Sequence, residues 1–164
     1  MSGTGGNGKQ HHGEKALEAL GRFLADHGWN PRALDEVAGY SVGFEGDHGS
    51  YHCVAEILVE IQQFLFYVIH PVRVPAERRL AVAEAITRAN YGMRIGNFEL
   101  DFSDGEVRYK SSLDFDDEIL TPPLIRNAIY AAVETMDRYA LAIVAVSRGE
   151  KTAADAIAEV EGYR

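Results

Sequence analysis

The sequence predicts an α+β fold: a mainly antiparallel five-stranded sheet with helices on one face, in the order α-β-β-β-α-β-β-α plus a short C-terminal helix. Three observations carry this. Apolar and polar residues alternate on both sides of Asp104-Gly105, a pair that favours tight hairpin turns. A second alternating run, with Tyr51, Cys53, Ala55, Ile57 and Val59 set against His52, Glu56 and Glu60, follows the turn residues Gly46-Asp47-His48-Gly49. At Thr121 the apolar period changes from two residues to three and four, the signature of a helix. Strands that arrive as hairpins build antiparallel sheets, and the helices then gather on one side.

Residues 1–13 are Gly-rich, polar and without apolar anchors, which predicts a disordered tail. Gly3, Gly8 and Lys9 imitate the spacing of a phosphate-binding loop. Gln10 stands where Ser or Thr is needed, and no strand precedes the glycines. Glu14 to His27 reads as a helix with Leu17, Leu20, Phe23 and Leu24 on one face, stopped by Gly28. Trp29 is expected to pack beneath the turn that follows. Leu34 to Glu45 reads as a strand that enters the first hairpin, and Glu60 to Gln63 as the next turn. Phe64 to Ile69 is apolar on both faces, as in a central strand covered on both sides. Helices on one face leave the other to something else, and a partner subunit is the simplest cover.

Pro75 to Tyr91 reads as a helix with Leu80, Ala83, Ile86 and Ala89 as its stripe and Gly92 as its stop. In the Asp-Gly hairpin a two-residue loop pairs Phe102 with Val107, Asp101 with Arg108, Leu100 with Tyr109 and Glu99 with Lys110. A slip of one residue would turn every apolar side chain outward. Thr121 is a good N-cap and Pro122 suits the first helical position. The apolar residues Leu124, Ile125, Ala128, Ile129, Ala132, Met136, Tyr139, Ala140, Ile143 and Val144 carry the helix to Gly149, a natural C′ residue. Thr152 and Asp155 resemble a capping box that starts a last short helix. The chain thus divides into a tail (1–13), a domain (14–148) and a C-terminal helix (149–164) packed on or trailing that domain.

Composition excludes several function classes. A net charge of −9 argues against a nucleic-acid surface and against anionic lipid, both of which need clustered cations. Cys53 is the only cysteine, so no intramolecular disulfide forms. No apolar run reaches membrane-spanning length and the N-terminus lacks an apolar signal core. The expected location is the cytoplasm.

Four stretches resemble the YbjN domain family: Phe44-Glu45-Gly46, the run Pro71 to Arg79 with Ala89-Asn90, Gly96 to Asp101, and Val107 to Asp114 followed by Leu120-Thr121-Pro122 and Met136-Asp137-Arg138-Tyr139. The resemblance covers roughly residues 15 to 148. The resemblance implies a fold like that of type III secretion chaperones and a bacterial cytoplasmic regulator of sensory transduction. It brings no catalytic residues with it. Type III chaperones dimerise and hold extended segments of other proteins, an analogy at the level of fold.

The chemistry-bearing residues point away from catalysis. His11 and His12 lie in the tail, and His48 and His52, four apart, lie on a turn and a strand, so no metal-ligand set assembles. His52 and Cys53 are neighbours on a strand and point to opposite faces, which leaves Cys53 a core thiol. Asp114, Asp116, Asp117 and Glu118 precede a helix N-terminus, where negative charge is favourable. Arg108 and Lys110 face acidic cross-strand partners, and Arg126 and Arg138 lie on the wet face of the helix. Arg73, Arg78 and Arg79 form the one local basic cluster. The function expected is therefore a non-enzymatic protein-binding or regulatory module, chaperone- or adaptor-like and homodimeric, without cofactor, metal or catalytic residue. Phe64, Phe66, Tyr67, Arg73, Arg78 and Arg79 are its candidate binding residues. The alternative is a small-molecule-sensing domain with a pocket between the long helix and the sheet.

Overall fold

The structure is a computed structural model that describes residues 5–162. Its elements run α1 (Gly5–Asp26), β1 (Arg32–Ala33), β2 (Gly39–Glu45), β3 (Ser50–Leu58), β4 (Gln63–Ile69), a 3-10 turn (Ala76–Arg78), α2 (Arg79–Asn90), β5 (Asn97–Leu100), β6 (Val107–Asp114), α3 (Pro122–Ser147) and α4 (Ala153–Glu161). The sheet has the order β1-β2-β3-β4-β6-β5, and every neighbouring pair is antiparallel. The fold is α+β, with six strands rather than five.

The sixth strand is Arg32–Ala33, which pairs with Ser41 and Tyr40. Two residues cannot display a period. The expected strand from Leu34 begins only at Gly39, because a turn closed by Leu34 N–H on the Gly39 carbonyl at 3.0 Å comes first.

Helix α1 begins at Gly5, so residues 5–13 belong to a helix and not to the expected tail; residues 1–4, with Gly3 of the apparent phosphate loop, lie outside the described residues. Gly13 is buried, and a Cβ there would collide with the Val59 backbone. The tail's lack of apolar side chains conceals a contact made by a missing side chain.

The inner face of the sheet carries Val42, Tyr51, Cys53, Ala55, Ile57, Phe64, Phe66, Val68, Phe98, Val107 and Tyr109, all buried. Helices α1 and α3 cover it, and α4 lies against α2 and α3. Trp29 stacks on Phe44 at 5.8 Å and meets Phe66 and Tyr130 edge-on, beneath the turn as expected. In α2 the buried residues are Val82, Ala85, Ile86 and Ala89. Leu80, expected in that stripe, is 79% exposed. Its place in the first turn of α2 points it away from the core.

The β5–β6 hairpin keeps the expected faces for its paired residues but not the expected register, and Phe102, expected inward opposite Val107, is 52% exposed in the loop. Leu100 pairs with Val107, Glu99 with Arg108, Phe98 with Tyr109 and Asn97 with Lys110. The slip is two residues, which preserves the pleat, so the alternation could not detect it. The longer loop is held by its own polar groups. Asp101 accepts from Ser103 N–H at 2.7 Å, and Gly105, at φ +80°, lies so close to Val74 that a Cβ would strike its carbonyl oxygen.

Candidate functional site

The face of the sheet that no helix covers among the described residues is the first candidate. Its residues point away from the core by strand parity alone. On β3 they are His52, Val54, Glu56 and Leu58; on β4 Gln63, Leu65, Tyr67 and Ile69; on β6 Arg108, Lys110 and Ser112. Val54, Leu58, Leu65, Tyr67 and Ile69 are half-buried and form an apolar stripe across the two central strands. A charged border flanks it on the β6 side. The Arg108 guanidinium lies 4.4 Å from the Tyr67 ring centroid, within cation–π range. Glu99 on β5 accepts from Arg108 Nε at 2.7 Å and also from Lys110 Nζ. Burial raises the Glu99 carboxyl, but these two cations outweigh it and hold it below its ordinary value. On the opposite border Ser41 Oγ and His52 Nε2 are 3.0 Å apart.

Of the expected binding residues, only Tyr67 lies on this face. Phe64 and Phe66 are fully buried on the helix side. A strand that is apolar on both faces carries no parity signal, so the sequence could not tell Phe66 from Leu65. The arginine cluster is spent on bracing. Arg73 pairs with Asp104 at 2.5 Å and Glu106 at 2.9 Å, across the hairpin loop. Arg78 donates to the Val146 carbonyl near the end of α3 at 2.7 Å. Arg79 donates to the carbonyls of Val74 at 3.3 Å and Phe102 at 2.7 Å.

A latch missed in the sequence joins α3 to the first hairpin. Asp137 accepts from Asp47 N–H at 3.0 Å, His48 N–H at 2.9 Å and the Tyr51 hydroxyl at 2.8 Å. Gly46 leaves room for it, since a Cβ there would overlap the carboxylate. Burial pulls the Asp137 carboxyl up, but the donated hydrogens prevail and leave it below its ordinary value. Asp137 reads as a wet-face residue of a helix because its partners are some ninety positions away in the chain. Asn90 does similar work at the other edge: its amide donates to the Phe98 carbonyl at 3.1 Å and accepts from Phe98 N–H at 2.7 Å.

The titratable core groups are dispersed. Cys53 is buried and its thiol is pushed up to about 12 by desolvation. His70 is buried between α3 and its own turn. Its Nδ1 accepts from Val72 N–H at 3.1 Å, which leaves Nε2–H to donate to the Ala140 carbonyl at 3.3 Å. Among the described residues, no three His, Cys, Asp or Glu are grouped to hold a metal ion.

A second candidate is a cleft of about 490 Å³ on the helix side of the sheet. Its walls are the loop from Tyr91 to Ile95, Tyr109 of β6, Thr135, Arg138 and Tyr139 of α3, and Glu161 at the end of α4. Tyr139 donates to Glu161 Oε1 at 2.9 Å. Arg138 lies over the Tyr139 ring at 5.5 Å and donates to the Val160 carbonyl at 3.2 Å.

Comparison with known proteins adds a family and a fold. The YbjN family, described as "Putative bacterial sensory transduction regulator", matches residues 16–144. No curated protein matches the chain. Among solved structures, "Crystal structure of YbjN, a putative transcription regulator from E. coli" is similar with a TM-score of 0.56 and 15% identity, over 74% of this chain and 85% of that one. At that identity the likeness is one of fold.

Proposed function

The chain belongs to the YbjN family, and from that premise we propose that it is a cytoplasmic, non-enzymatic regulatory module that binds protein through the helix-free face of its sheet, first of all a second copy of itself. The observation that carries the reading is the apolar stripe of Val54, Leu58, Leu65, Tyr67 and Ile69. Among the described residues no helix packs on it, although large side chains buried there would each contribute ~1.5–3 kcal/mol. The flanks favour self-association. A two-fold axis along β4 lays the Arg108–Lys110 border of one copy over the β3 border of the other, which carries Glu56. A family described as regulating sensory transduction fits a protein that transmits by binding. The net charge of −9 favours protein over nucleic acid as the partner, and an adaptor or a chaperone for another protein's segment would use the same face. No helix is long and apolar enough to cross a membrane among the described residues. The reactive side chains support a non-enzymatic role in the same way: Cys53 is sealed in the core and His70 is fully committed to backbone partners.

Light scattering across a concentration series tests the proposal. A dimer is expected, and Tyr67→Asp should shift it to monomer with an unchanged circular dichroism spectrum. A native protein that stays monomeric throughout, or a Tyr67→Asp variant that remains a folded dimer, would remove this face as the interface.

A further inference from the structure

We propose that the cleft between the Tyr91–Ile95 loop, α3 and α4 binds a small planar aromatic molecule carrying one negative charge. The proposal is independent of the sheet face, which lies on the other side of β6.

The volume of about 490 Å³ falls within the range of small-ligand sites, ~300–1,000 Å³. The lining combines what an aromatic acid needs. Tyr91, Met93 and Ile95 on the loop offer an apolar body for a ring, whereas the Tyr139 ring is buried beneath Arg138. Ile95 is 53% exposed and Tyr91 91% exposed at the mouth, so large apolar surface faces solvent where a ligand would cover it.

The charges select the sign. Arg94 lines the cleft with no hydrogen bond or ion pair among the described residues. Arg138 has given one N–H to the Val160 carbonyl and its fork has others left. Against these two guanidinium groups stands Glu161, whose Oε1 already accepts from Tyr139. A monoanion satisfies the surplus, while a second negative charge would meet Glu161. Having donated its hydrogen to Glu161, the Tyr139 oxygen keeps only acceptor capacity. A ring N–H or O–H is the group that matches it.

The test uses 8-anilinonaphthalene-1-sulfonate, an aromatic monoanion that carries an N–H on a planar naphthalene ring, followed by its fluorescence on titration with the full chain. Saturable binding to one site per chain is expected. Arg94→Gln breaks no hydrogen bond or ion pair among the described residues and should weaken binding roughly ten-fold or more, the scale of one lost charged hydrogen bond. Arg94→Gln with Arg138→Gln should abolish it. Tyr67→Asp, on the other side of the sheet, should leave it intact. The uncharged analogue N-phenyl-1-naphthylamine should bind at least ten-fold more weakly than the sulfonate. Absence of saturable binding would overturn the site. Equal affinity in Arg94→Gln would remove the arginine from it, loss in Tyr67→Asp would move it to the sheet face, and equal affinity for the uncharged analogue would refute selection of an anion.

Discussion

At the scale of single residues, the polar groups of this protein act mainly as latches, and their protonation sets its response to acid. His70 is desolvated and its basicity is lowered, although its two backbone partners push the other way. The folded state therefore releases a proton that the unfolded chain still binds just below the ordinary value of 6.5, so stability should fall as pH drops through that region. Asp137 acts lower down. Its folded value lies below the ordinary 3.8, so its contribution is present above 3.8 and is lost as pH falls through the folded value. Urea unfolding across pH should show both limbs, and His70→Gln should flatten only the upper one. Asp137→Ala should cost roughly 2 kcal/mol, because the hairpin amides and Tyr51 lose a charged acceptor; Asp137→Asn should cost less. Gly105→Ala should be comparably harmful, since it combines a left-handed φ with a backbone collision at Val74. The Cys53 thiol, at about 12 and without exposed surface, should react with thiol reagents only after unfolding.

At the scale of elements, the edge strand β5 shows how a side chain replaces a strand. Asn90 presents a donor and an acceptor to Phe98 as a neighbouring strand would, which blunts a free edge that otherwise invites pairing with another chain. Asn90→Ala should cost about 1–2 kcal/mol and raise the exchange rate of the Phe98 amide, as read by hydrogen exchange. An unchanged rate would mean that the edge is covered by something other than this amide. Helix α3 was legible almost to the residue, from Thr121 to Gly149, because twenty-six helical residues repeat one period many times. The β5–β6 register was not legible. Both registers place Leu100 and Tyr109 inward and Glu99 outward, and the choice rests on the Asp101–Ser103 turn and on the arginines that hold the loop.

At the scale of the whole molecule, the two faces of β4 give the sharpest contrast available. Phe66 and Tyr67 are adjacent, aromatic and indistinguishable by local pattern. Phe66 is fully buried under the helices, so Phe66→Asp should unfold the domain, with a cost above about 4 kcal/mol for a buried charge. Tyr67→Asp should leave thermal unfolding nearly unchanged in the monomer and act on association. Differential scanning calorimetry at low concentration separates the two. If both variants unfold alike, the helix-free face is part of the core of a larger assembly and does not exist as a free surface.

The α+β class, the hairpins, the long helix and the net acidity were legible in the chain's residues, because each follows from a period, a turn residue or a composition that acts locally. The sequence also carried the family, through stretches such as Met136 to Tyr139 and Ala89-Asn90. That these stretches act as latches depends on how the chain packs in space. Asp137 meets Asp47 across ninety residues, and Arg79 reaches a loop that lies far along the chain. Which side of β4 is open, and where the Arg94–Arg138 cleft forms, depend in the same way on helices packing across the sheet. A side chain's partners are set by the path of the chain in space, and a local pattern holds no record of that path.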